Sequence, residues 1–106
     1  MIIINQDGTA AAKFKSVSIR PNAESTEGQS ESEKEYFVII NGEIYGRYSN
    51  RITAEAEVDG LIYELTKSRP ARWYSLASDR AYHTSPWLQA RRERMERLHG
   101  PTNNEY

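Results

Sequence analysis

The sequence contains no cysteine, which removes disulfides and thiolate metal ligands together and leaves stability to packing alone. It has two histidines, His83 and His99, and no His-Glu-x-x-His spacing, so both are read as surface residues and no metal or other cofactor is expected. A site built from both histidines and one carboxylate is the alternative. The six glycines are scattered, at 8, 28, 42, 46, 60 and 100, and form no phosphate-cradling loop. There is also no long apolar run. The opening Met1-Ile2-Ile3-Ile4 has no basic lead-in and is far too short for a secretory core or a membrane span, which gives the expectation of a cytoplasmic protein that does not enter a membrane.

What is present suits a single α+β domain over residues 1–100, followed by a frayed tail at 101–106. The 106 residues allow one core, and 38% apolar against 27% charged residues implies much solvated loop and helix surface. The net charge of −1 conceals two poles. Between Ala23 and Glu35, Glu24, Glu27, Glu31, Glu33 and Glu35 meet only Lys34; residues 22–32 are read as a mobile acidic loop, too polar to offset the cost of ordering. Between Arg69 and His99, seven arginines outnumber Asp79, Glu93 and Glu96.

Residues Met1 to Asn5 read as a strand closed by an Asp7-Gly8 turn, and Ala12 to Arg20 as a second strand with a β-bulge between Phe14 and Val17. The strongest signal is Asn41-Gly42 between two β-rich segments, a hairpin with a two-residue turn. That turn pairs Ile40 with Glu43, Ile39 with Ile44, Val38 with Tyr45 and Phe37 with Gly46, the glycine making room for the Phe37 ring. One face then carries Phe37, Ile39 and Ile44. The other carries Tyr36, Val38, Ile40 and Tyr45, and is either covered by the C-terminal segment or used as an interface. A helix capped by Thr53 follows, with a core stripe of Ala54, Val58, Leu61, Ile62 and Leu65, and ends before Pro70. Arg72 to Leu76 suggests one more strand. A last helix over 85–99 has Ser85 as N-cap, Pro86 in its first turn and Gly100-Pro101 as a stop. The expected fold is thus a small antiparallel sheet of about four strands packed by one amphipathic helix, with an Arg-rich helix appended.

No nucleophile stands beside an evident base. His83-Thr84-Ser85 is better explained by helix capping, and Glu55 with Asp59 by the solvated face of a helix, so an enzyme is not expected. Two groupings invite a binding role. Arg72, Trp73, Tyr74, Arg80, Tyr82 and Trp87 mix guanidinium groups with aromatic rings, as a site for stacking bases would, although Trp73, Leu76 and Trp87 would equally serve to cover the second hairpin face. The helix residues Arg91, Arg92, Arg94 and Arg97 alternate with Glu93 and Glu96, which suits an ion-paired face more than a phosphate track. Leu88, Met95 and Leu98 form a seam that could meet a partner or a second copy.

The features run from the Met-Ile-rich start into Asn5-Gln6-Asp7, through Lys13-Phe14 with Val17 and Ile19, to Tyr36-Phe37-Val38, Gly46-Arg47-Tyr48, Ala54-Glu55 and Glu57-Val58. In this order they resemble small uncharacterised proteins encoded by phages and mobile elements. The likeness stops near Leu65, and the acidic loop and everything after Pro70 depart from it. The resemblance implies an inhibitor of host defence, acting by occluding a partner surface or by sequestering a nucleotide signal, and transfers no functional residue. The expectation is therefore an interaction protein working through protein–protein contact, with a nucleotide- or nucleic-acid-binding module as the alternative.

Overall fold

The structure, a computed structural model, describes residues 1–22 and 35–99. The acidic loop, apart from Asn22, and the residues from Gly100 onward lie outside the described residues. The elements run β1 (Ile2–Ile4), β2 (Ala11–Lys13), β3 (Val17–Pro21), β4 (Tyr36–Ile40), β5 (Glu43–Tyr48), α1 (Arg51–Leu65), β6 (Trp73–Ser75), α2 (Ala81–Thr84) and α3 (Pro86–His99).

The α+β class is as expected, but the single sheet is two. One is the antiparallel meander β3-β4-β5; the other has the order β2-β1-β6, with β2 antiparallel and β6 parallel to β1. The strand expected over Ala12 to Arg20 is two, β2 and β3, and in place of a bulge between Phe14 and Val17 the chain there leaves one sheet for the other. Asn41 holds this crossing. Its φ of 53° and that of 86° at Gly42 make the primed turn the hairpin needs. The Asn41 side chain accepts from the Lys15 and Ser16 amides at 2.9 and 3.1 Å and donates to the Lys13 carbonyl at 2.7 Å.

The hairpin keeps Ile40 opposite Glu43 and Ile39 opposite Ile44, then slips: Val38 pairs with Gly46, Phe37 with Arg47 and Tyr36 with Tyr48. Tyr45 is the extra residue of a bulge. Gly46 therefore does not serve Phe37. A Cβ there would stand 2.8 Å from Cε2 of Tyr48, so the glycine makes room for the Tyr48 ring.

The expected helix cap is corrected as well. Asn50 is the N-cap of α1, accepting from the Thr53 amide and hydroxyl at 2.9 Å each. The buried face of α1 is turned from the expected stripe: Thr53, Ala54, Ala56, Glu57, Gly60 and Leu61 are buried, whereas Ile62 is 46% exposed. Small residues at 54, 56 and 60 let the helix approach closely. Its alanines and Leu61 share one core with Tyr36, Val38, Ile40, Tyr45 and Tyr48 from the meander and Ile3 from the second sheet.

That contact settles the fate of the second hairpin face. Tyr36, Val38, Ile40 and Tyr45 are at most 5% exposed, so they form the core and present no interface. Helix α1 covers them, not Trp73 and Trp87, which stand 64% and 68% exposed. Leu88 and Met95 are likewise buried in the core, leaving Leu98 alone at the surface, and the seam expected on α3 is used within the chain. Ser85 does begin α3 as expected: its carbonyl accepts from the Gln89 amide at 2.9 Å and its hydroxyl from the Leu88 amide at 3.4 Å.

Candidate functional site

The centre of the site is the carboxylate of Glu57, wholly buried on the inner face of α1. Oε1 accepts from the Tyr82 hydroxyl at 2.6 Å and from Nη1 of Arg91 at 3.2 Å, and Oε2 accepts from the Ala77 amide at 2.9 Å. Three later segments thus converge on one side chain: the loop after β6, helix α2 and helix α3. A buried carboxylate left without these donors would cost several kcal/mol, on the order of 3–5, so the network selects where those segments dock.

Tyrosines complete the network. The Tyr48 hydroxyl donates to the Ala77 carbonyl at 2.6 Å, and its ring meets Tyr82 edge-on, with centroids 6.2 Å apart. Tyr74 accepts from Nη1 of Arg91 at 3.4 Å, and Tyr82 does so at 3.3 Å. Burial, followed by the negative charge of Glu57, pushes the hydroxyl pKa of Tyr48, Tyr74 and Tyr82 well above the ordinary tyrosine value. Burial works against the charge on Arg91, but Tyr74, Tyr82 and Glu57 around it outweigh burial, and its pKa is raised.

Gly60 is what lets the arginine in. Any Cβ at that position would collide with the Arg91 guanidinium and lie 2.9 Å from the Tyr74 hydroxyl. On its other side the guanidinium sits over the Trp87 indole, 4.3 Å from the ring centroid.

Above this buried base, α1 and α3 leave a cleft of about 300 Å³. Asp59, Gly60 and Tyr63 line it from α1, and Trp87, Ala90, Arg91 and Arg94 from α3. Tyr63 and Trp87 stand 62% and 68% exposed. Arg94 reaches across to Asp59 at 3.4 Å.

The sequence-derived candidates are therefore divided. Trp87, Arg91 and Arg94 share the cleft, and Tyr74 and Tyr82 support it from within. Arg92 is structural, bonding Thr53 Oγ1 at 3.2 Å and Glu96 at 2.8 Å. Arg97 is exposed on α3. Arg72 and Trp73 belong to the exposed side of the β6 segment, and Arg80 to the start of α2; none of the three lines the cleft. Sequence reasoning missed Glu57, Gly60 and Tyr63. The signal for the first two was the run of small residues at 53, 56 and 60 flanking Glu57 at helical spacing, which marks a closely packed face and not a solvated one.

Among the described residues, no group of three histidine or acidic side chains could hold a metal ion, and no helix is long and apolar enough to cross a membrane. His83 lies on the surface, 3.8 Å from Asp79. Compared with protein-family models, curated proteins and solved structures, the chain matches none of them.

Proposed function

We propose that this chain is a non-catalytic interaction module that engages a protein partner through the cleft between α1 and α3. The observation that carries this reading is the pair of aromatic side chains, Tyr63 and Trp87, each more than 60% exposed beside a cleft whose floor is fixed by the Glu57–Arg91 ion pair. Exposing two large rings to water is unfavourable unless something else covers them, and Trp, Tyr and Arg are the residues that most often dominate binding energy at protein interfaces. The non-catalytic part is supported by the commitment of both Glu57 oxygens to structural partners, which leaves that carboxylate no acid–base task.

Occlusion of a host defence or regulatory partner, as the resemblance to phage and mobile-element proteins implies, is one form that such binding takes. The nucleotide reading loses support, because Arg72, Trp73 and Arg80 do not join Trp87 in the cleft.

The test compares capture of a partner by the wild-type chain and by Trp87→Ala, Tyr63→Ala and Trp73→Ala, each verified as folded. The first two should weaken capture at least about tenfold, as loss of a central anchor does, while Trp73→Ala leaves it unchanged. Capture indifferent to Trp87 and Tyr63 would refute the proposal.

A further inference from the structure

Arg91 has spent only part of its hydrogen-bonding capacity. Its contacts to Glu57, Tyr74 and Tyr82 all run through Nη1. Nε and Nη2 have no partner among the described residues. They are not sealed off either, since Oε1 of Glu55 is the one side-chain polar atom there that is both buried and without a hydrogen-bond partner. The Arg91 side chain is only 14% exposed, and the cleft is the open space that it borders. Its position is fixed by the ion pair to Glu57, by the missing side chain at Gly60 and by the Trp87 ring. A guanidinium held in this way offers its Nε–Nη2 edge as a pre-oriented fork, the geometry that a carboxylate meets with two parallel hydrogen bonds.

Resting on the interaction reading above, we infer that the cleft receives an acidic segment of the protein partner. A carboxylate is seated on the Nε–Nη2 edge of Arg91, and a neighbouring aromatic or apolar side chain is held against Tyr63 and Trp87. The local charges favour a carboxylate over a phosphate. Glu57 and Asp59 already balance the charges of Arg91 and Arg94, so the cleft holds no excess positive charge to compensate a dianion, and the planar fork matches a single carboxylate. Arg94, 59% exposed and bound to Asp59 only at the surface, is free to turn toward the incoming anion.

The probe is N-acetyl-phenylalanine, compared with its neutral amide and with phenyl phosphate, followed by the NMR resonances of the Arg91 Nε–H and the Trp87 indole N–H. The carboxylate should shift both signals and bind at least about tenfold more tightly than the amide, as a charged bidentate pair implies. Arg91→Lys keeps the charge opposite Glu57 but removes the fork, and should abolish the preference for acid over amide. Trp87→Ala, a change at an exposed position, should weaken acid and amide alike. Equal binding of acid and amide, tighter binding of phenyl phosphate, or no shift with any probe would overturn the inference. The acid–amide comparison needs only the wild-type chain, so instability of a variant does not blunt it. A failure here combined with loss of partner capture in Trp87→Ala would discard the carboxylate and keep the interaction surface.

Discussion

At the scale of single residues, Glu57 decides more than any other side chain. Glu57→Gln removes the negative charge that Arg91 faces and leaves a largely buried guanidinium uncompensated. We expect a loss of about 3–5 kcal/mol in chemical denaturation, a large fraction of the roughly 5–15 kcal/mol typical of a small domain. The tyrosines around it set a pH limit. Their pKa values in the folded state lie above the value of about 10 that they take when unfolded, so the native state holds its protons more tightly. The stability they contribute is fully present below about pH 10 and is lost as pH rises beyond it. In an alkaline titration, the tyrosinate absorbance of Tyr48, Tyr74 and Tyr82, three of the seven tyrosines, should appear together with the loss of secondary structure. Smooth ionisation of all seven before unfolding would contradict this.

At the scale of elements, local signals were legible and long-range ones were not. The Asn41-Gly42 turn could be read because two adjacent residues specify it. The bulge at Tyr45 could not, because it goes with the Tyr48 ring packed against Gly46, which neighbouring residues do not specify. In the same way, Thr53 is a good capping residue, yet Asn50 three positions earlier takes the role and turns the Thr53 hydroxyl into its donor. The role of Glu57 was not legible, since nothing nearby in sequence announces Tyr82 or Arg91 as its partners. Trp87, Arg91 and Arg94 of the cleft were visible as an aromatic and basic concentration, but Tyr63 was hidden on a helix whose orientation the apolar pattern did not fix. Asn41→Gly separates the local part from the long-range part. Glycine preserves the positive φ of the turn, so the hairpin persists, but the three hydrogen bonds to residues 13–16 disappear. Thermal or chemical denaturation should show a loss of about 1–3 kcal/mol with unchanged circular dichroism.

At the scale of the whole molecule, α3 belongs to the core as much as to the surface. It supplies Leu88 and Met95 to the same buried cluster as the sheets and closes the Glu57 network through Arg91. Removing residues 85–106 should therefore abolish cooperative unfolding, leaving a chain without a defined thermal transition. A truncated chain that melts cooperatively near the wild-type temperature would show that the helix is only an attachment. For the same reason, changes at exposed side chains such as Trp87 and Tyr63 report on the cleft with the least disturbance of the fold.

The exposure of both tryptophans has a practical side. Trp73 and Trp87 already stand mostly in water in the native state, so their emission wavelength changes little when the chain unfolds. Intrinsic fluorescence is then nearly blind to loss of the fold, yet well placed to register anything that settles on the indole of Trp87.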